Sequence, residues 1–341
     1  MEIKFLTSEL HDEYEEFVSN DPNSLIYHSV KFKRFLESLL GCRAHYIVAL
    51  DKRKVVGVLP LMVANGPLGK VVNSLPFYGS NGGVLAKSVE VANELIEKYS
   101  HFLVENNIAA STIVENPLDR EYNYLQLKAD ENDYRIGQFT KIEGMFNDLE
   151  ELMTLFHFKT RNTIRKSIKS GVFVGVENDA FQFLEETHKE NMVSIGGLAK
   201  PPKFFQTIQE VFESDKDYRI YIARYEGAPI AALLVLYYNQ CVEYYTPVVV
   251  KEFRHLQALS LIICTAMLDA SKEGFEMWNW GGTWPSQDGV YQFKSRWGTE
   301  DYRYDYYINI RNMDIYKADR KMLLEEYAGF YVLPFDKLCS K

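Results

Sequence analysis

The chain has 341 residues, of which 47% are hydrophobic and 14% aromatic, and a formal net charge of -9 at pH 7. At roughly 150 residues per domain this length predicts two domains, and the composition excludes a disordered protein. The negative charge excludes a general electrostatic attraction to nucleic acid or to an anionic membrane.

We expect neither a signal peptide, a membrane span nor a cysteine cluster from the sequence. The first ten residues lack the basic start and apolar centre of a signal peptide, and the apolar run at 256–268 is too short to span a bilayer. We therefore expect a soluble, cytoplasmic protein. The cysteines do not have the spacing of a zinc site or a disulfide framework, and Cys241 and Cys264 lie in apolar elements, where we expect buried thiols.

The first half of the chain changes from a helical to a strand-like pattern. Helical spacing of apolar residues predicts helices, and alternating or continuous short apolar runs predict strands. In chain order the predicted elements are two helices within 6–40, the second ending at Gly41, strands at 44–50 and 55–63, a helix from Val89 to Glu105 and a strand at 111–114.

The second half repeats this order. The predicted elements are strands at 218–225, 230–238 and 241–250, a helix from Gln257 to Lys272 that Gly274 ends, and the strand FEMWNW at 275–280. The second half thus follows the order β-β-β-α-β, and we interpret the first half as another copy of this unit, an internal repeat in the type of element rather than in identity. The repeat predicts an α/β protein with mixed sheets and two similar domains.

Between the two halves lies a cationic segment, residues 156–172, which is predicted to be helical. At helical spacing Arg161, Arg165 and Lys169 share one face. In so acidic a chain this face indicates a phosphate or carboxylate partner, although a solvated helix surface is the alternative.

The stretch from Glu276 to Gly298 contains the chain's four tryptophans, a diglycine and the pair Phe293-Lys294. Aromatic faces beside glycine backbone and a cation are typical of a site for a polar ligand. The alternative is a strand, a turn and a strand whose aromatics fill a core, with Lys294 exposed on a strand edge. Asp288 is a candidate base near Lys294, but Asp288-Gly289 is typical above all of a turn.

These segments occur in an order that resembles the FemAB-like family. The matching segments are KTRNTIRKSIKSGV, GGLAKPPKFF, EFRHLQALSLI, EGFEMWNWGG and GVYQFKSRWG, preceded by SLIYHSVKFKRFLESLLG, VVGVLPLMV and LPFYGSNGGVL. The family comprises tandem-GNAT-fold proteins, among them the aminoacyl-tRNA-dependent peptidyltransferases that build peptidoglycan cross-bridges. The resemblance implies one GNAT-like domain at 1–145 and a second at 146–311, with the tail at 312–341 packing back on the first.

The resemblance also implies roles for individual residues. Acyl transfer to an amine needs a donor carbonyl open to attack, a group that stabilises the developing oxyanion and a route for the amine proton. By the resemblance Lys294 is the catalytic candidate for the oxyanion, and Phe293 fixes it by packing. Arg161 and Arg165 are candidates for the diphosphate of a nucleotide- or lipid-linked acceptor, and Tyr78 is a candidate for the acceptor groove of the first domain.

Two adjacent tyrosines lie on the predicted strand at 241–250. By the GNAT analogy this strand faces the donor region, where a tyrosine ring stacks on a sugar or a base. Because a regular strand alternates its faces, only one of Tyr244 and Tyr245 is expected to be functional, and Tyr245 is the candidate.

The loop before the second-half helix bears on the donor. Acyl-CoA enzymes of the GNAT fold hold pyrophosphate with a loop of the form R/Q-x-x-G-x-G/A, whose backbone N–H groups point at the ligand. Here Arg254 is kept as a candidate binding residue, but Gln257 and Leu259 replace both small positions. This argues against ordinary acetyl-CoA as the donor.

The sequence therefore predicts an N-acyltransferase that moves an aminoacyl or acyl group to an amine of a cell-wall or surface-polysaccharide precursor. No separate cofactor is indicated, and the co-substrate is an aminoacyl-tRNA or an acyl-CoA. The alternatives are a non-catalytic sugar- or peptide-binding module and an acyl-CoA-dependent enzyme of exopolysaccharide modification. Phe32 and Leu36 stand where the peptidoglycan branch has a tryptophan and a precursor-gripping lysine. The sequence leaves the donor, the acceptor, the pathway and the oligomeric state open.

Overall fold

A computed structural model of the protein describes residues 1–77, 81–119, 122, 124–144 and 146–338. The chain divides into two compact units, of which unit 1 comprises Met1–Ile136 with Arg303–Lys341 and unit 2 comprises Gly137–Tyr302. Each unit combines helices with β-strands, which confirms the predicted α/β class. Within the described part of the chain, no helix is both long enough and apolar enough to cross a membrane.

Strands and helices are numbered in chain order. The strands are β1 (Glu2–Phe5), β2 (Arg43–Ala44), β3 (Ile47–Asp51), β4 (Lys54–Leu59), β5 (Met62–Gly66), β6 (Gly69–Asn73), β7 (Leu85–Ala86), β8 (Ile108–Val114), β9 (Glu131–Lys141), β10 (Phe173–Val176), β11 (Tyr218–Tyr225), β12 (Ala228–Tyr238), β13 (Cys241–Val249), β14 (Met277–Thr283) and β15 (Thr299–Ile310). The helices are α1 (His11–Asn20), α2 (Val30–Leu40), α3 (Val89–Glu105), α4 (Leu149–Leu152), α5 (Phe158–Lys169), α6 (Phe181–Ser194), α7 (Pro202–Val211), α8 (Ala258–Lys272), α9 (Asp288–Ser295) and α10 (Arg320–Glu326).

Unit 1 is built around helix α3, which begins and ends where the sequence predicts. Its strands pair in the order β1-β3-β4-β7 and, in a second sheet, β15-β8-β6-β5-β2. The chain passes from β6 through β7 and helix α3 to β8, which pairs parallel to β6. The apolar face of α3, with Leu95 and Tyr99, is buried. The predicted single strand at 55–63 was wrong. The chain forms two strands in different sheets around Pro60, because proline has no N–H for a sheet ladder.

Unit 2 has the strand order β10-β11-β12-β13-β14-β9. The pairs from β10 to β13 are antiparallel, and helix α8 then crosses over so that β14 pairs parallel to β13. This confirms the predicted β-β-β-α-β order in the second half. Helix α8 is apolar on almost every side and lies in a core with Trp278, Trp280 and Trp297, while Cys264 on this helix is a buried thiol, as expected.

The segment from Asp288 to Gly298 differs from both sequence-based alternatives. Neither the turn favoured at Asp288-Gly289 nor a strand carrying Lys294 on its edge is present, because Asp288–Ser295 forms helix α9. Asp288 lies in the first turn, where the helix dipole favours a carboxylate, and Gly289 is tolerated at the same end. The helix, rather than a strand, therefore presents Lys294 to strand β14.

Candidate functional site

The candidate site in unit 2 begins where β13 and β14 stop pairing. The parallel register runs from Cys241 opposite Met277 to Glu243 opposite Asn279. Beyond this last pair β13 continues to Val249 and β14 to Thr283. Backbone groups that lose their ladder partners at such a split must find other partners, such as a side chain, water or a ligand.

On the β14 side, Lys294 binds two backbone carbonyl groups that lie beyond the last pair with β13. Its ammonium nitrogen Nζ donates to Gly281 O at 3.1 Å, to Gly282 O at 3.4 Å and to Thr283 Oγ1 at 2.9 Å. The side chain reaches these atoms from the last turn of α9, and the residue is only 6% exposed. The alternative of a surface lysine is therefore wrong. Lys294 is buried against the part of β14 that extends beyond its last pair with β13.

The surroundings of Lys294 make its charge adjustable. Burial lowers the pKa of Lys294 to about 8, because the charged form loses hydration while its three partners are neutral oxygens. Among the described residues, none of the ion pairs involves this side chain. A largely desolvated ammonium is suited to stabilise a negative charge that develops beside it, because the electrostatic interaction is stronger where little water is present.

Aromatic packing fixes the helix that carries Lys294. Phe293 is 37% exposed and meets Trp280 edge-on, with ring centroids 6.0 Å apart, and it also contacts Trp297. Trp280 Nε1 donates to Thr140 Oγ1 at 2.9 Å, and that hydroxyl donates to Trp297 O at 3.0 Å. The tryptophans thus serve mainly as structural residues, while Phe293 has both a packing edge and an open edge.

Three residues of the site were not predicted from the sequence. Thr283 holds Lys294, and Asn279 and Glu243 form the last pair of the two strands, where both are buried. Asn279 Nδ2 donates to Glu243 Oε1 at 3.1 Å, and Asn279 Oδ1 accepts from Gly281 N at 2.8 Å. Polar residues at the centre of the apolar strands CVEYY and MWNWGG were the signal available in the sequence.

On the β13 side the strand has a bulge at Tyr245. Leu234 pairs with Thr246 and Val235 with Tyr244, so that Tyr245 is the extra residue. The bulge interrupts the expected alternation, and both tyrosines are half-buried rather than one buried and one exposed.

Tyr245 belongs to a cluster that includes a half-buried lysine, Lys200. Its ring stacks on Phe204, with centroids 5.7 Å apart, and lies 4.6 Å from Lys200 Nζ. Lys200 Nζ donates to Tyr245 O at 3.2 Å and to Thr246 Oγ1 at 2.6 Å, and burial lowers the pKa of Lys200 to about 7. Both sides of the split therefore carry a lysine that binds a backbone carbonyl and a threonine hydroxyl.

The predicted anion-binding arginines lie on α5. Arg165 is exposed and already holds Glu150 with two hydrogen bonds, of 3.2 Å from Nε and 2.6 Å from Nη2. Arg161 on the same helix is partly buried. A phosphate at this helix would have to compete with Glu150 for Arg165.

The loop before α8 keeps an unusual backbone without its glycine. Gln257 has φ +59, a left-handed conformation that glycine adopts more readily, and its side-chain Nε2 donates to Arg254 O at 3.1 Å. Arg254 itself is exposed at the end of a short 3-10 helix, Lys251–Leu256.

Tyr78, the candidate of the acceptor groove, lies outside the described residues. The described residues contain no group of three or more His, Cys, Asp or Glu side chains that could hold a metal ion.

Comparisons with known proteins agree with this architecture. Residues 159–302 match the acetyltransferase (GNAT) domain family. A search of curated protein sequences returns no match.

Among solved structures, FemX superimposes with a TM-score of 0.73 at 17% identity, covering 93% of this chain and 99% of FemX. A tandem GNAT protein from the clavulanic acid biosynthesis pathway has a TM-score of 0.52 at 11% identity, with 91% and 98% of the two chains covered. L-PGS from Bacillus licheniformis has a TM-score of 0.51 at 12% identity, with 88% and 95% covered.

At identities this low, the superpositions establish the fold alone. Together with the family match they confirm, at that level, the resemblance to the FemAB-like proteins. The chain is a tandem GNAT-fold protein with the fold of an acyltransferase, and its residues 159–302 match the acetyltransferase (GNAT) domain family.

Proposed function

We propose that the protein is an N-acyltransferase that moves an aminoacyl or other acyl group to an amine of a cell-wall or surface-polysaccharide precursor. The observation that carries the proposal is the ammonium of Lys294, buried among neutral oxygens at the split between β13 and β14. The likeness to FemX, which covers 93% of this chain, supports this choice of reaction over other reactions on the GNAT fold.

In the proposed reaction the acceptor amine attacks the carbonyl carbon of the donor. A C–N bond forms, the C–O or C–S bond to the donor breaks, and the amine proton passes to the leaving oxygen or sulfur. Negative charge develops on the carbonyl oxygen in the transition state, and Lys294 stabilises it. The site then needs no covalent enzyme intermediate.

The acceptor is proposed to carry phosphate. Arg161 and Arg165 on α5 supply cations for a nucleotide- or lipid-linked diphosphate, with Glu150 displaced from Arg165 when the acceptor binds. Tyr245, whose ring is half-buried at the bulge of β13, is the proposed stacking surface for a base or sugar.

Acyl-CoA is the second donor to consider, because one observation favours it. Gln257 holds a positive φ at the start of α8 without glycine, so the turn of a pyrophosphate-binding loop is kept although its small residues are replaced. Leu259, at the other position that is usually small, opposes close approach of a pyrophosphate. Charged tRNA therefore remains the preferred donor.

A transfer assay with a panel of donors tests the proposal. The purified protein is incubated with aminoacyl-tRNA or acyl-CoA and with amine-bearing nucleotide-linked or lipid-linked precursors, and acylated products are detected by mass spectrometry. We expect turnover with one donor class, its loss in Lys294→Ala, and no change in Lys272→Ala, which removes an exposed lysine of α8. Acceptor binding without turnover across the panel would instead identify a binding module.

A further inference from the structure

The last paired residues of β13 and β14 form a hydrogen-bonded chain that leads to Lys294. Glu243 and Asn279 lie opposite each other in the register and are 2% and 0% exposed. A polar pair buried this deeply is kept only where its hydrogen bonds are made, and here the asparagine makes bonds in both directions.

The amide of Asn279 uses both of its ends. Nδ2 donates to Glu243 Oε1 at 3.1 Å, and Oδ1 accepts from the backbone N–H of Gly281 at 2.8 Å. Asparagine can donate and accept at once, whereas an ionised carboxylate only accepts and a leucine does neither. The residue type is therefore matched to a position between an acceptor and a donor.

The contact to Gly281 shapes the backbone that holds Lys294. A side-chain oxygen that accepts from the N–H two residues later stabilises a local turn, and Gly281 in this turn has φ +70. The same residue offers its carbonyl oxygen to Lys294 Nζ at 3.1 Å. Asn279 thus acts on Lys294 through a single intervening residue.

We propose that Asn279 is a positioning residue of the acyltransferase site, which holds the turn at Gly281 so that the carbonyl groups of Gly281 and Gly282 orient the ammonium of Lys294. Glu243 in turn orients the amide of Asn279. This inference rests on the role proposed for Lys294 and adds to it the device that sets the position of the cation.

A purely structural role for Asn279 is the competing account, and substitutions separate the two. Asn279→Leu removes both contacts, whereas in Asn279→Asp one carboxyl oxygen still accepts from Gly281 N, and the new carboxyl shares a proton with Glu243. We expect turnover to fall roughly tenfold in Asn279→Leu, with the KM for the donor changed less than about threefold, and to be largely kept in Asn279→Asp.

A second pair of variants perturbs the turn without touching Asn279. Gly281→Val places a β-branched residue at a positive φ, which such residues rarely adopt, and nothing lies within 4 Å of the added Cβ. Gly289→Val is the matched control, since its Cβ is equally free of contacts and its φ is not positive. We expect Gly281→Val to behave like Asn279→Leu, and Gly289→Val to behave like the wild type.

A readout without substrate completes the test. With isotope-labelled lysine, an NMR titration gives the pKa of Lys294 in each folded variant. We expect it to fall below the wild-type value in Asn279→Leu and Gly281→Val, because the charged amine loses its carbonyl acceptors.

Wild-type turnover together with an unchanged or higher pKa of Lys294 in both variants would overturn the inference. If Lys294→Ala is inactive while these variants are normal, only the inference fails. If Lys294→Ala turns over like the wild type, the proposed function fails as well.

Discussion

The hydroxyl of Thr283 lies 2.9 Å from the ammonium of Lys294, and this contact joins the end of strand β14 to the last turn of helix α9. The same hydroxyl donates to Gln138 Oε1 at 3.4 Å, so it links the lysine to strand β9 as well. The position of the cation is therefore set by three elements of unit 2 rather than by its own helix alone.

Removing this hydroxyl tests how far the contact matters. Thr283→Val keeps the shape and the strand preference of the side chain but leaves Lys294 with one acceptor fewer. Because a hydrogen bond to a charged group contributes about 1.5–3 kcal/mol, we expect turnover to fall roughly tenfold and the free energy of unfolding to fall by about 1–2 kcal/mol.

The matched control is Thr207→Val, which removes another buried hydroxyl of unit 2 whose contact is the carbonyl of Lys203 within α7. It is expected to lower stability without lowering turnover per folded molecule. Equal turnover losses in the two variants would contradict a specific role for Thr283. Kinetics and urea unfolding on the same preparations supply both numbers.

The pH dependence of turnover follows from the lowered pKa of Lys294. The cation is the active form, and it is lost as the pH rises through about 8, so turnover should decline above that pH. In Lys294→Arg the charge persists across the whole alkaline range in which turnover is measured. We therefore expect a slower enzyme without the alkaline decline, and the same decline in the arginine variant would assign it to another group.

The burial of Lys294 also predicts a conflict between stability and activity. Its pKa is about 8 in the folded chain and about 10.4 when unfolded, so between these values the unfolded chain binds more protons and stability rises with pH. At neutral pH, burial of the charged amine of Lys294 therefore lowers the free energy of unfolding.

Lys294→Met should accordingly raise the free energy of unfolding at pH 7, on the order of 1–3 kcal/mol, while lowering kcat by about 100-fold or more. The difference from the wild type should shrink towards pH 10. Urea unfolding at pH 7 and pH 10 checks this, with Lys272→Met as the exposed control. A methionine variant less stable than the wild type at pH 7 would show that the three hydrogen bonds outweigh the desolvation.

The ion pair between Arg165 and Glu150 predicts how the acceptor side responds to substitution. Glu150→Gln releases the guanidinium and should tighten binding of inorganic pyrophosphate, used as the probe, by roughly two- to fivefold at low salt. The gain should shrink at high salt, because the pair is exposed. Glu213→Gln, which releases Lys216 from a similar exposed pair elsewhere in unit 2, is the control. Equal titration curves for the two variants and the wild type would remove α5 from the acceptor site.

Much of the fold could be predicted from the sequence, because local signals and tertiary packing agree there. Helix α3 begins after Ser88, whose side chain accepts from Val91 N, and α2 ends at Gly41 with φ +63. The order of strands around α8 follows from apolar runs bounded by turns. The break between β4 and β5 at Pro60 was not predicted, because the apolar pattern continues across the proline.

The candidate site was predictable only in part. The Phe-Lys pair indicated Lys294, but its burial depends on carbonyl groups that α9 meets only after folding, and the Asp-Gly pair suggested a turn where a helix begins. The bulge at Tyr245 and the amine of Lys200 beside it depend on strand register. Register and side-chain reach are set by the packed structure, and single residues do not signal them.

The central claim is that the ammonium of Lys294 stabilises the transition state of acyl transfer, and kcat of Lys294→Met with the donor that supports turnover tests it most directly. Loss of a preorganised oxyanion partner predicts that kcat falls by about 100-fold or more while the KM values for donor and acceptor change little. A folded Lys294→Met protein with the kcat of the wild type would contradict the claim.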